Sequence, residues 1–306
     1  MGGVGPRATP TYRDGMLYVT GGTGVVQCLD ASTGENVWTY DLVKELSIKT
    51  PAWGFSSSPL IVDDLAIVFS SGGESKAVVA LDRANGTLRW SGSDGNHAYG
   101  SAQLATIDGQ RQIVISSNLG LRGLDVFDGT VLWQYDWDIG QMARVTQPLV
   151  VGNAVYLGTG YGNGTQRVDV TQGPDGWDVK ESWLAPLKPY FNDFVYYQGH
   201  LYGFDDSIFT SIDAETGQRN WKRGRYGFGQ VLLIEQMGVL LVLSEKGEVV
   251  LLRANPERHE EIATFDAIEG VTWNHPVIAD GKLFVRNAEE AACFALPDVV
   301  TDSDDP

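Results

Sequence analysis

The chain has 306 residues, 43% of them hydrophobic, with a formal net charge of −17. This length and hydrophobic content allow a large core, in two domains or in one long array of repeats. So acidic a surface repels phosphate backbones and anionic lipids, which excludes nucleic-acid binding and attachment to a membrane surface. No apolar run reaches the ~18 residues of a membrane-spanning helix, so we also expect no membrane insertion.

The first predicted unit contains four short strands separated by turn residues. The opening MGGVGPRATP lacks the apolar segment of a signal peptide, and we interpret it as an entry into a pattern that begins upstream. Strand-like segments follow, rich in β-branched and aromatic residues: ATPTY, MLYVT, VVQCL and NVWTY. The next segment, DLVKELSI (41–48), predicts a short helix before the second unit.

The same four-strand pattern returns with a period of about 45 residues, which is typical of propeller blades. SSPLIV, LAIVFS, AVVALD and TLRWSG form the second unit, and FVYYQ, LYGFD, FTSID and RNWKR form the fifth. We place the unit ends near Trp38, Trp90, Trp133, Trp183, Trp221 and Phe265, where Phe replaces Trp, and a final partial unit covers 266–296. The pattern predicts an all-β propeller of seven four-stranded antiparallel blades, a single domain over 1–297, and a disordered acidic tail at 298–306.

One motif recurs four times: an Asp, a Gly four residues later and a Trp four residues after that. The Asp carboxylate is expected to cap a tight turn, and the Gly to supply its positive φ. The Trp then packs against the next blade while its N–H reaches a backbone acceptor. The four copies are Asp30, Gly34, Trp38; Asp82, Gly86, Trp90; Asp125, Gly129, Trp133; and Asp213, Gly217, Trp221.

This motif resembles the tryptophan-docking motif AxDxxTGxxxW of the quinoprotein-type, or PQQ-like, β-propeller repeat family. The second copy matches at Ala80, Asp82, Gly86 and Trp90, with Asn85 in place of Thr, and the first and fourth copies have Cys28 and Ser211 at the Ala position. The family includes PQQ-dependent alcohol and glucose dehydrogenases, and also the propeller lipoprotein of the outer-membrane β-barrel assembly machinery, which is a scaffold. GPRATP, WGFSSSP and YGFDDS are most similar to exported bacterial propellers without an assigned activity.

The resemblance implies a periplasmic or extracellular protein and raises a question about blade number. Such relatives usually have eight blades, with a terminal strand completing the last one. Here the last unit lacks its outer strand, and MGGVGPR is a poor candidate for it. The alternatives are a loosely closed seven-bladed propeller and an eight-bladed one truncated at the N-terminus, and we favour the second.

A candidate ligand site comes from the segments that lead into the innermost strand of each blade, since these line the mouth of a propeller. Each of the six segments carries an aromatic residue, His or Arg. If these side chains line a ligand pocket, they suit a flat ring or a sugar. The alternative is that they are core residues that fill the central channel. The candidates are Trp53, Phe55, His97, Tyr99, Arg144, Tyr190, Asn192, Tyr226, Phe228, Trp273, Asn274 and His275.

A PQQ site needs more than these aromatic residues. The resemblance implies a divalent cation held by carboxylate or amide oxygens, a carboxylate base, and in the alcohol dehydrogenases an adjacent Cys pair, which is missing here. Asp193 is a weak candidate base, Arg144 could pair with a carboxylate, and Trp53 or Trp273 could stack on the cofactor. We therefore expect no cofactor, or PQQ with calcium if the protein is a dehydrogenase.

The cysteines and histidines predict no metal site. Cys28 and Cys293 form no CxxC pair, and the four His show no metal-binding spacing. We expect both cysteines to be buried free thiols, and His259 with Glu260 and Glu261 to form a charged turn.

Three functions follow from these observations. The first is a non-catalytic monomeric propeller that binds a protein or polysaccharide in the cell envelope. The second is a PQQ- and calcium-dependent dehydrogenase that oxidises an alcohol or sugar. The third and weakest is a carbohydrate-active propeller enzyme.

Overall fold

The computed structural model describes residues 7–296, whose strands form seven antiparallel sheets in chain order. The fold is all-β, with the seven blades of a β-propeller, as the repeat predicts. Among the described residues six sheets have four strands and the last has three. The predicted acidic tail, 298–306, lies outside this range. Within it, no helix is both long and apolar enough to cross a membrane.

The first of two compact units extends to Leu184 and holds four blades. Each blade is a meander in which consecutive strands pair. Blade one contains β1 (Thr11–Arg13), β2 (Met16–Thr20), β3 (Val25–Asp30) and β4 (Asn36–Asp41); blade two contains β5 (Leu60–Val62), β6 (Leu65–Phe69), β7 (Val78–Asp82) and β8 (Leu88–Gly92). Blade three contains β9 (Gln103–Ile107), β10 (Gln110–Ser117), β11 (Gly120–Asp125) and β12 (Val131–Asp136); blade four contains β13 (Leu149–Val151), β14 (Ala154–Thr159), β15 (Gly164–Gly173) and β16 (Gly176–Ala185).

The second compact unit begins at Ala185 and holds the other three blades. Blade five contains β17 (Val195–Tyr197), β18 (His200–Asp205), β19 (Ile208–Asp213) and β20 (Arg219–Lys222). Blade six contains β21 (Gln230–Ile234), β22 (Val239–Leu243), β23 (Glu248–Arg253) and β24 (Glu261–Asp266), with a 3₁₀ turn at Glu235–Met237. Blade seven contains β25 (Val277–Ala279), β26 (Lys282–Arg286) and β27 (Ala291–Ala295).

The predicted helix is present as α1 (Leu42–Leu46), and the Asp41 side chain accepts a hydrogen bond from Lys44 N at its N-terminus. Asp is a favoured N-cap residue because its carboxylate satisfies an otherwise unpaired backbone N–H. Leu42 and Leu46 are buried against blades one and two. The helix therefore fills the longer connection between these blades with apolar side chains.

The Asp–Gly turns adopt the geometry expected from the motif. In the first copy, Asp30 Oδ1 accepts hydrogen bonds from Ser32 N at 2.8 Å and Thr33 N at 3.0 Å. Gly34 N donates to Asp30 O at 2.8 Å, with Gly34 at φ +75°. This φ is costly for residues with a Cβ. The turn thus needs both residue types at this spacing.

Three of the four motif tryptophans donate to a backbone carbonyl in the following blade. Trp38 Nε1 donates to Arg83 O at 2.9 Å, Trp90 Nε1 to Val126 O at 3.2 Å, and Trp221 Nε1 to Asn255 O at 2.9 Å. For Trp38 and Trp90 the motif glycine of the next blade also leaves room for the ring, because a Cβ on Gly86 would lie 2.7 Å from Trp38 Cδ2 and one on Gly129 would lie 2.5 Å from Trp90 Cε3. Each indole so joins two neighbouring sheets by both packing and a hydrogen bond.

Trp133 departs from this pattern. Its Nε1 donates to the Gln112 side chain of its own blade, so the expected backbone acceptor was wrong here. The residue opposite Trp133 is Gly123, where a Cβ would collide with the indole, and this gap lets the ring turn back over its own sheet. Blade four also offers no motif turn, because β15 and β16 continue to Gly173 and Gly176.

The assignment of Phe265 to the tryptophan position was also wrong. Ala263 lies at that position, opposite Leu251 and beside the bulge that blade one also has. Phe265 lies opposite Val249, two residues further on, where blade one has Tyr40 opposite Val26. Counting a fixed 44 residues from Trp221 overshoots the tryptophan position by two, because Ala263 follows Trp221 by only 42 residues.

The cysteines differ in their surroundings. Both are free: Cys28 is buried in blade one, but Cys293 is exposed in β27. The expectation that both are buried was therefore wrong for Cys293. The two residues occupy equivalent positions in the third strands of their blades. Within the described residues of its own unit, the sheet face that carries Cys28 is covered by blade two, whereas the face that carries Cys293 is not covered by another blade.

Candidate functional site

In the first unit, three predicted residues meet in one group, the Trp53 cluster of Trp53, His97 and Tyr99. The ring centroids of Trp53 and Tyr99 lie 5.0 Å apart, and His97 lies 6.3 Å from Trp53. Trp53 N donates to the Tyr99 hydroxyl at 3.3 Å. Trp53 is 43% exposed, so the cluster presents an aromatic surface to solvent.

Arg144 and Phe55 lie beneath the surface rather than on it. Arg144 is wholly buried, and its guanidinium donates to Ser117 O at 2.8 Å, Trp137 O at 2.8 Å and Thr159 Oγ1 at 3.0 Å. Phe55 is buried against blades one and two. Because the guanidinium of Arg144 already donates hydrogen bonds to oxygens of the protein itself, we assign Arg144 a structural role.

In the second unit, a larger group forms the Trp273 cluster, defined as Tyr190, Phe191, Phe228, Trp273 and Glu245. Phe191 lies 5.4 Å from Trp273 and 5.8 Å from Phe228, and Tyr190 lies 5.1 Å from Phe228, in each case between ring centroids. The contacts of Tyr190 with Phe228 and of Phe191 with Trp273 are edge-to-face, an arrangement that stabilises aromatic groups. Trp273 is 52% exposed, so its ring is the outermost part of the cluster.

Glu245 fixes the orientation of this cluster. Its Oε1 accepts a hydrogen bond from Trp273 Nε1 at 2.8 Å, and its Oε2 accepts one from Phe228 N at 3.3 Å. The backbone repeats the connection, because Thr272 N donates to Glu245 O at 2.9 Å. Hydrogen bonds to a charged acceptor are stronger than neutral ones. The exposed indole is therefore held in place before any ligand arrives.

Sequence reasoning missed Glu245 because it considered only the segments that enter the first strand of each blade. Glu245 belongs to the turn at 244–247, between β22 and β23. In a four-stranded meander, the turn between the second and third strands lies at the same end as the entry to the first. The SEKGE turn was thus a signal available in the sequence.

The remaining candidates of the second unit fall into two groups. His275 Nε2 lies 3.7 Å from Asp193 Oδ2, and both side chains are partly exposed. Asn192 is wholly buried, and its Oδ1 accepts a hydrogen bond from Tyr190 N at 3.0 Å. Asn274 lies half-buried between Trp273 and His275 in the chain. Asp193 and His275 are accessible to a ligand, whereas Asn192 supports the Tyr190 segment.

Tyr226 does not line a surface but belongs to the core between blades five and six. Its hydroxyl donates to Glu261 Oε1 at 2.6 Å and lies 2.8 Å from His259 Nε2. His259 also meets the ring of Trp221 edge-on at 5.4 Å. The predicted charged turn is present, since Glu260 pairs with Arg253 and Arg258, but His259 in it packs between two aromatic rings.

This packing predicts a pH dependence of stability. Burial lowers the pKa of His259 below its ordinary 6.5; Glu261 opposes this and Arg223 adds to it. At a pH between the pKa of His259 in the folded protein and its ordinary value in the unfolded chain, the unfolded chain binds more protons than the folded protein. The free energy of unfolding therefore falls as the pH drops below about 6.5. Urea unfolding at pH 7.5 and 5.5 should show a larger loss for the wild type than for His259→Gln. Equal losses would refute this role.

The described residues do not fit PQQ with calcium. No group of three or more His, Cys, Asp or Glu side chains in 7–296 could hold a metal ion, and Arg144 is engaged by backbone and side-chain oxygens of its own fold. Calcium needs six to eight oxygen ligands.

Comparisons with known proteins agree on the fold. A family model described as "Outer membrane protein assembly factor BamB" matches residues 2–223. The BamB protein of Yersinia pestis is 23% identical over 296 residues, which is 92% of this chain and 71% of that protein. A tetrathionate hydrolase of Acidithiobacillus ferrooxidans is 22% identical over 69% of this chain and 44% of its own.

Among solved structures, BamB from Moraxella catarrhalis superposes with a TM-score of 0.67 at 18% identity, covering 91% of this chain and 78% of that one. The computationally designed protein Ika8 gives a TM-score of 0.63 at 11% identity, with 91% and 79% coverage. At these identities, the structural likeness shows the fold.

Proposed function

The chain belongs to the family of the outer membrane protein assembly factor BamB, and from this premise we propose that it is a non-catalytic scaffold that binds a protein ligand in the cell envelope. We place it in the periplasm, acting as a monomer without a cofactor. The observation that carries the proposal is the Trp273 cluster, an exposed indole held by a carboxylate. The names of the relatives, which describe assembly of outer membrane proteins, support it.

The geometry of the cluster suits a protein ligand. Trp is the residue type most enriched at binding hot spots, and a rigid aromatic side chain loses little entropy on binding. The hydrogen bond to Glu245 lowers the entropic cost of binding further, because the indole ring is already oriented before a ligand binds. The net charge of −17 favours approach by a basic partner.

Replacing Trp273 tests the proposal. We expect Trp273→Ala to weaken binding of a purified envelope ligand about 30-fold, the loss typical of a hot-spot residue. Val271→Ala is the matched control, since Val271 is also exposed in the same segment but lies outside the cluster. Titration calorimetry measures both. Equal affinities for wild type and Trp273→Ala would contradict the proposal, provided that both proteins unfold at the same temperature.

A polysaccharide is the second candidate ligand, because one observation favours it. The Trp273 N–H is already engaged by Glu245, so the indole offers its face, the surface on which a sugar ring stacks. Binding to an immobilised polysaccharide panel distinguishes the candidates. Saturable, Trp273-dependent binding to a glycan, with none to envelope proteins, would replace the protein-ligand proposal.

A further inference from the structure

A polar cavity of about 460 Å³ lies in the first unit, between the end of α1, the turn that joins β6 to β7 and the segment after β8. Its volume falls within the roughly 300–1,000 Å³ of ligand pockets. The side chains that supply its chemistry are Lys49, Ser71, Glu74, Lys76 and Asn96. All of its lining residues lie within 47–96, so one unit builds the whole cavity.

Hydrogen bonds hold the walls of the cavity together. Lys76 Nζ donates to Leu46 O at 3.0 Å, which joins the β6–β7 turn to the end of α1. Gly73 N donates to Gly95 O at 3.1 Å, which joins the same turn to the segment after β8. The cavity is therefore formed before a ligand binds, and binding does not have to order these segments.

The cavity presents hydrogen-bonding groups of both kinds. Among the described residues, the Lys49 ammonium and the Glu74 carboxylate form neither an ion pair nor a hydrogen bond. The side-chain amide of Asn96 can both donate and accept. The Ser71 hydroxyl is buried without a hydrogen-bond partner in the described part of the chain, which is unfavourable. Donors and acceptors are therefore both available to a ligand.

The charges around the cavity favour a neutral ligand. Lys49 and Lys76 would repel a cationic group, and Glu74 would repel an anionic one. Asp94 Oδ1, which accepts a hydrogen bond from Ser75 N at 2.7 Å, places a second carboxylate beside the same turn, so two carboxylates balance the two lysines. The net charge of −17 also repels acidic polymers. A neutral molecule with several hydroxyl groups uses both the donors and the acceptors.

The Trp53 cluster adjoins this cavity, because the same two segments build both. Asn96 in the cavity wall is followed in the chain by His97 of the cluster, and Lys49 lies four residues before Trp53. The Trp53 ring is 43% exposed, and an indole offers a large flat apolar face. Polar groups beside an exposed aromatic ring suit a saccharide, whose hydroxyl groups form hydrogen bonds while its C–H face packs on the ring.

We propose that the cavity and the Trp53 cluster together bind a neutral oligosaccharide, with one sugar unit in the cavity and the next on the Trp53 indole. The Lys49 ammonium donates to hydroxyl oxygens of the sugar, and the Glu74 carboxylate accepts from its hydroxyl groups. This function is additional to the proposed binding of a protein. The site uses no residue of the Trp273 cluster, so either proposal can fail without the other.

Titration calorimetry of the full chain with maltotetraose, cellotetraose and chitotetraose tests the proposal, and tetragalacturonate is the acidic comparison. We expect saturable binding of at least one neutral tetrasaccharide and none of tetragalacturonate. Glu74→Gln should weaken the binding about tenfold, as expected when a hydrogen bond to a charged group is lost, and Trp53→Ala should weaken it by a similar factor. Lys44→Met is the matched control, since Lys44 is exposed on α1 outside the cavity, and it should leave the affinity unchanged.

Three results would overturn the proposal: no binding of any neutral tetrasaccharide, tighter binding of tetragalacturonate, or an unchanged affinity in Glu74→Gln. Glu74 and Trp53 are both exposed, so these variants should unfold at the wild-type temperature. Trp273→Ala should bind the tetrasaccharide as the wild type does. A loss of binding in Trp273→Ala would assign the sugar to the Trp273 cluster and would also overturn the proposal.

Discussion

Replacing Trp38 or Trp90 with alanine is expected to lower the free energy of unfolding by about 3–5 kcal/mol, the range for deleting a buried Trp or Phe. Both rings are almost fully buried, and both hold a carbonyl of the next blade. The loss combines a cavity between two sheets with the loss of one hydrogen bond to a carbonyl oxygen of the next blade. Urea unfolding followed by circular dichroism measures it.

Two controls separate this effect from general damage. Trp53→Ala removes an exposed indole and should cost less than 1 kcal/mol, as surface substitutions do. Gly86 and Gly34 have nearly the same φ, but of the two only Gly86 lies against an indole ring. Gly86→Ala should therefore be the more destabilising of the two. Equal losses within either comparison would contradict docking of the blades by these tryptophans.

Replacing Arg144 with alanine should cost about 3 kcal/mol or more, because it leaves three hydrogen-bond acceptors without their donor, at about 1–3 kcal/mol for each buried one. The change leaves Ser117 O, Trp137 O and Thr159 Oγ1 without their donor and removes a cation 4.8 Å above the Trp137 ring. Burial lowers the pKa of Arg144 to about 10, so it is charged at neutral pH and the loss should be the same at pH 6 and 8.

Arg111→Ala is the matched control, because Arg111 forms an exposed ion pair with Asp63. Exposed pairs contribute about 0–1 kcal/mol. If Arg144→Ala were as mild as Arg111→Ala in the same unfolding assay, Arg144 would not be structural, and the original idea that it pairs with a ligand carboxylate would regain support.

The sequence was informative where the relevant physics is local. The spacing of Asp30, Gly34 and Trp38 reflects one turn and one strand, so it predicts the blade and its connection to the next. It could not show that Phe265 lies two residues beyond the tryptophan position, because that position depends on which residues of the two strands pair. Nor could it show that Cys293 is exposed, since that depends on what covers blade seven.

The sequence predicted the residue types of the candidate site but not which of its residues are buried. Aromatic residues at the entries to the blades were identified, and Trp53 and Trp273 do lie at the surface. Arg144 is buried against Ser117 and Thr159 of two different blades, and Tyr226 lies in the core between blades five and six, so neither burial follows from a local pattern. Glu245 comes from a turn rather than an entry segment, so its contact with Trp273 required the structure.

Site-specific photocrosslinking in intact envelopes tests the scaffold function most directly. A benzoylphenylalanine is placed at position 273, and as a control at position 127, where Phe127 is 85% exposed in a motif turn. We predict a discrete adduct with an envelope protein from position 273 and none from position 127. No adduct at 273, or the same adducts from both positions, would contradict a protein-binding role for this surface.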